Sequence, residues 1–129
     1  MKCDFKENKK KGKRHVVSNQ SVRYYLLGEA KIKLLKDKTI LDTHIANISF
    51  SGIGLYSPVP IDNGRKVKIK VSFFDIARKV QSTCIEGNTI WHSKLGDAYL
   101  MGIRFDEELN VTKQPVLFKR LMWLKNIND

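Results

Sequence analysis

The most regular pattern in the chain is Lys66-Val-Lys-Ile-Lys-Val-Ser-Phe73, where polar and apolar residues alternate without a break. A period of two belongs to a strand with one buried face, so Val67, Ile69, Val71 and Phe73 are predicted to point into a core and the lysines outward. Shorter runs of the same kind lie on both sides. Glu29 to Leu35 and Ile40 to Ala46 read as strands joined through Lys36-Asp-Lys-Thr39, a connection of hairpin length that predicts an antiparallel pair. Val80 to Trp91 is another β-rich stretch in which Thr83, Ile85, Thr89 and Trp91 share one parity, and Gly87 is expected to permit a bend or bulge. Beyond a turn at Gly96-Asp97, Tyr99, Met101, Ile103 and Phe105 alternate with Leu100, Gly102 and Arg104, a strand whose second face brings a guanidinium to the surface.

The period then lengthens. Leu117, Leu121 and Leu124 follow helical spacing, Pro115 fits a first turn, where its missing N–H costs nothing, and Thr112 is expected to cap. Phe118, Met122 and Trp123 widen the apolar surface, so the helix is expected to pack on the strands, with a dimer contact as the alternative. Pro58-Val-Pro60 and Asp62-Asn-Gly64 supply loop and turn chemistry between the strands. Short strands at this spacing followed by one helix predict a mainly β fold, a closed or nearly closed barrel with a C-terminal α-helix. Residues 1–20 lack hydrophobic periodicity, and the run Lys9-Lys-Lys-Gly-Lys-Arg14 repels itself, so a flexible basic N-terminal arm is expected before a folded domain over 21–129.

Charge changes this picture in one respect. The formal charge is +11; residues 1–20 hold seven Lys or Arg against two acids, or +5, which leaves 11 − 5 = +6 for the rest. Such a chain attracts polyanions, whether nucleic acid, nucleotide or an acidic membrane face. No apolar run approaches the roughly 20 residues that span a bilayer, and Met1 to Arg14 has no apolar stretch of signal-peptide length, so a soluble, cytoplasmic protein with no membrane span is expected. Cys3 and Cys84 form no CxxC pair and are expected to be free thiols, with Cys84 a small buried hydrophobe.

The chemistry concentrates in Asn47-Ile-Ser-Phe-Ser-Gly-Ile-Gly-Leu55. Asn and Ser side chains bond to nearby backbone groups and Gly52 is free of the φ restrictions of other residues, so a tight loop with outward N–H groups, able to receive an anion, is expected. An ordinary strand-to-strand turn is the simpler alternative.

Asn47-x-Ser49-x-x-Gly52 resembles the [D/N]-x-S-x-x-G signature of PilZ domains. The resemblance extends to Arg23-Tyr-Tyr-Leu-Leu-Gly-Glu-Ala-Lys-Ile32, to Asp62-Asn-Gly-Arg-Lys-Val-Lys-Ile-Lys-Val71, to Ile90-Trp91 and to Met101-Gly-Ile-Arg-Phe105, and so covers roughly residues 20 to 125. It implies a six-stranded antiparallel PilZ-type β-barrel that binds the bacterial second messenger cyclic di-GMP and signals to a protein partner. In the family the ligand is held by the loop motif together with an upstream R-x-x-x-R, because guanidinium forks bind phosphate oxygens and guanine O6/N7 bidentately. The resemblance therefore assigns Arg23, Asn47, Ser49 and Gly52 to the ligand. Arg23 takes the second arginine position, but Asn19 stands at the first. Arg14, in a Lys10-x-x-x-Arg14 register, is the candidate replacement. Trp91 is a candidate for stacking on a guanine and Arg104 either a solvated residue or a wall of the phosphate site. A PilZ-like adaptor that has lost the nucleotide is the alternative function, and non-specific nucleic acid a lesser one.

An enzyme is not expected. Asp42 and His44 share a strand face at i, i+2 near Ser49 without an oxyanion hole, and His15, His44 and His92 lack metal-ligand spacing. No Walker-type G-K-[ST] is present, and no cofactor or metal is implied.

Overall fold

A computed structural model describes residues 22–128. The elements are β1 (Gly28–Leu34), β2 (Ile40–Ile48), β3 (Gly52–Ser57), β4 (Lys66–Phe74), β5 (Val80–Leu95), β6 (Ala98–Phe105) and α1 (Pro115–Asn128). All pairings are antiparallel and the order β1-β2-β3-β6-β5-β4 closes on itself as a barrel. Closure gives each of the six described strands a neighbour on both sides. The arm over 1–20, including Arg14 and Asn19, lies outside the described residues.

Alternation decides which residues fill the interior. Val67, Ile69, Val71 and Phe73 of β4 are buried as predicted, together with Ile32, Ile53, Leu55, Met101 and Ile103 from β1, β3 and β6. The helix adds Leu117 and Leu121, both fully buried. Phe118 beside them stands edge-on to Phe50, with ring centroids 5.5 Å apart, and Phe50 in turn faces Tyr24 at 6.4 Å. The loop before β3 is thus wedged between the segment that precedes β1 and the helix. Pro115 opens α1 as expected, but Thr112 falls in a separate turn ahead of the helix: Asn110 Oδ1 accepts the amides of Thr112 (3.1 Å) and Lys113 (2.8 Å) and so closes that turn, while the first helical amide, Phe118, donates to the Gln114 carbonyl (2.8 Å), which puts Gln114 at the cap position.

Three further expectations are corrected. Gly87 stays in register with both Val67 and Phe105, and the irregularity in β5 falls between Thr89 and Trp91. Gly52 is not among the glycines with positive φ, which are Gly64 and Gly96 in the turns; it is needed because an added Cβ would stand 2.5 Å from the Ile103 carbonyl oxygen of β6. Cys84 is disulfide-bonded, not a free thiol. No helix among the described residues is long and apolar enough to cross a membrane.

Candidate functional site

The signature loop holds itself together. Ser49 is completely buried, and its hydroxyl accepts the amides of Ser51 (3.2 Å) and Gly52 (3.1 Å) while its own amide donates to the Gly52 carbonyl (2.8 Å). The amides of residues 49, 51 and 52 are therefore spent inside the turn, and the outward set of donors expected there does not form. Of the motif, only Asn47 reaches the outer wall with its side chain.

Asn47 arrives there through a bulge. Ile45 pairs with the inward Leu55, Ile48 with the inward Ile53, and the register slips between Ile45 and Asn47, so Asn47 lies opposite Gly54 on the outer face. A second bulge does the same on the far side. Thr89 pairs with the inward Ile103 and is buried; after the slip Trp91 pairs with Gly102, so the indole is on the outer wall and 40% exposed. Simple alternation gave Thr89 and Trp91 one face, and the bulge at Ile90 separates them. Gly54 and Gly102 are themselves cross-strand partners.

A row runs across four strands: Asn47, Gly54, Gly102, Trp91. Three inter-strand spacings separate its ends, roughly 14 Å of barrel wall. A Cβ on Gly54 would come within 2.9 Å of Asn47 Oδ1, and one on Gly102 would overlap the indole Nε1 and lie 2.9 Å from Cδ1. Both side chains therefore recline inward over bare backbone. Trp91 offers its outer surface as a flat π-face, the kind of platform on which purines stack.

The cationic element comes from Arg23. Tyr24 exchanges backbone hydrogen bonds with Ile48 (2.7 and 2.9 Å), which pins the segment preceding β1 against the end of β2. Arg23 Nη1 then donates to Asn47 Oδ1 at 2.9 Å. Partial burial pushes the Arg23 guanidinium down from its ordinary value. The remaining donors of the fork suit a phosphate or a purine edge. Arg104 pairs with Gly52 and Asn88 and is exposed in the next outward row, so it flanks the glycine strip on one side; half-exposed Tyr56, opposite His44 and Leu100, flanks it on the other. The structure thus brings Arg23, Asn47 and Trp91 to one face around Gly54 and Gly102. Ser49 and Gly52 are set beneath it as framework. Gly54 and Gly102 are the residues that sequence reasoning missed, although "GIGL" and "MGIRF" print both in strand context.

No group of three or more His, Cys, Asp or Glu placed to hold a metal occurs among the described residues. The sequence profile of the PilZ domain matches residues 19–120. The chain belongs to the PilZ domain family. PilZ domains are receptor and adaptor domains, and the barrel closed by six strands with a C-terminal helix is the PilZ fold. Among solved structures, the Bacillus subtilis inhibitor of motility, MotI/DgrA, superposes with a TM-score of 0.63 at 14% identity over 88% of this chain and 54% of that one. The chain therefore spans about half the length of MotI. The PilZ domain of YcgR from Escherichia coli, solved with c-di-GMP, superposes with a TM-score of 0.53 at 16% identity over 86% of this chain and 97% of that one. At these identities the likeness is one of fold. No curated protein matches the chain in sequence.

Proposed function

We propose that this PilZ domain is a cyclic di-GMP receptor whose ligand lies along the outer wall from Arg23 to Trp91. One observation carries the reading: two bulges and two facing glycines bring a guanidinium, a carboxamide and an open indole face onto one strip of barrel surface. A guanine stacks on Trp91, while Arg23 and Asn47 meet phosphate oxygens or the purine edge. The presence of c-di-GMP in the YcgR domain structure supports the same ligand class. The basic segment before Arg23, with Arg14 as the second cation, orders over the bound phosphates and alters the surface that a protein partner meets. Phe50 offers a route from the loop to α1, since it touches both Tyr24 and Phe118.

A second reading rests on Asn19, which stands where the family pattern has an arginine: an adaptor that contacts a protein partner without nucleotide. The fold likeness to MotI is compatible with it. Titration calorimetry with cyclic di-GMP at moderate salt separates the two. The receptor reading expects a saturable signal that weakens on the order of tens- to hundredfold in Arg23→Ala, the cost of one charged bidentate contact. Absence of heat at high micromolar nucleotide leaves the adaptor reading.

A further inference from the structure

We infer that Gly54 and Gly102 are the positioning residues of this site, and that the absence of a side chain at each determines whether the outer wall accepts a planar base at all. The inference deepens the receptor reading and rests on it for the ligand, but not for the geometry.

The two glycines face each other across β3 and β6, in the middle of the row that Asn47 and Trp91 terminate. Strand interiors disfavour glycine, which weakens a sheet and gives it nothing to pack. Neither glycine is required by its backbone, since positive φ among the described glycines occurs at Gly64 and Gly96. At neither is backbone the first obstacle. The closest atoms to an added Cβ at Gly54 are Oδ1, Cγ and Nδ2 of Asn47, and at Gly102 they are Nε1, Cε2 and Cδ1 of Trp91. Gly52, Gly28 and Gly87 differ, because in each the first obstacle is a backbone carbonyl oxygen. The strip is thus kept bare for two side chains alone. A methyl at position 102 lifts the indole off the wall, turning its face away from the Arg23 end. A methyl at 54 moves the Asn47 carboxamide and releases Arg23 from its 2.9 Å bond. The ligand class implied is a planar ring bearing an anionic group on the Arg23 side.

The test uses the full chain carrying Trp123→Phe, so that Trp91 is the sole tryptophan. Acrylamide quenching of Trp91 is compared with and without Gly102→Ala, in parallel with cyclic di-GMP titration and thermal melting. The expected result is a higher quenching constant, affinity reduced by up to about tenfold, and unchanged or raised melting temperature, as for a glycine replaced in a strand. Stability combined with lost binding separates positioning from a folding role. In Trp91→Ala, Gly102→Ala should have no further effect on affinity. Equal quenching in the two proteins overturns the inference. If the parent binds no cyclic di-GMP, the receptor reading falls, while the quenching comparison still decides whether Gly102 sets the indole.

Discussion

The barrel has two contrasting outer faces. On β1 and β4 most outward positions are lysines, interrupted by Glu29, Ser72 and Phe74, and several of them are already matched: Lys31 meets Asp42 at 2.6 Å, Lys66 meets Asp106, and Lys68 meets Glu86 at 3.6 Å. On the arc of β2, β3, β6 and β5 the wall carries less charge, and its centre is two glycines with a carboxamide and an indole laid over them. The face with more cations is also the one on which several of them are already paired. A pI near 9.8 therefore says little about where an anion binds. Non-specific nucleic acid would be drawn to the lysine face by net charge, with affinity falling steeply in salt, whereas a stacked nucleotide needs the glycine face.

Substitutions that test this contrast differ widely in size. The largest effect is expected within the glycine face, at the glycine that serves the framework. Gly52→Ala places a methyl 2.5 Å from the Ile103 carbonyl oxygen, so β3 and β6 must part, and denaturant unfolding should show a loss of about 2–3 kcal/mol. A wild-type midpoint would mean that the close approach is absent in solution. Next comes a direct comparison of the faces in ligand binding. Trp91→Ala should weaken cyclic di-GMP on the order of tenfold, while Lys31→Ala, whose ammonium already has a partner, should leave affinity unchanged. The opposite outcome in a titration would move the nucleotide to the lysine face.

The smallest effect concerns that face alone. Asp42 raises the Lys31 pKa, first through their hydrogen bond and then through charge attraction. A raised folded value means that the pair's contribution is complete below the ordinary lysine pKa and is lost as pH rises through the folded one. Melting curves of wild type and Asp42→Asn should differ slightly at neutral pH and low salt, converge in strongly alkaline buffer, and converge in high salt at any pH. A difference that survives high salt would make this exposed pair a structural element.

Much of the architecture was legible in local pattern. The alternation in Lys66 to Phe73 identified four inward residues because a strand offers only two faces and lysine is costly on the inner one. The lengthening period at Leu117, Leu121 and Leu124 located the helix for the same kind of reason, and Pro115 marked its first turn. The helix cap was misplaced by two residues because Thr112 has capping chemistry, whereas a separate turn closed by Asn110 intervenes and leaves Gln114 at the cap position.

The site was legible in its residue types and not in its assembly. Asn47 and Arg23 are 24 positions apart, and only the bridge between Tyr24 and Ile48 brings the guanidinium to the carboxamide. Trp91 was assigned the wrong parity because Gly87 is the conspicuous residue of β5, whereas the bulge falls beside Ile90, whose chemistry does not announce one. Ser49, by type a ligand contact, spends its hydroxyl on the turn. By itself the sequence determined the strands, the helix and the family, since periodicity and motif spacing are properties of neighbours along the chain. The tertiary structure alone decided which side chains share a face, because strand register, two single-residue slips and the empty space above Gly54 and Gly102 exist only once distant strands are paired.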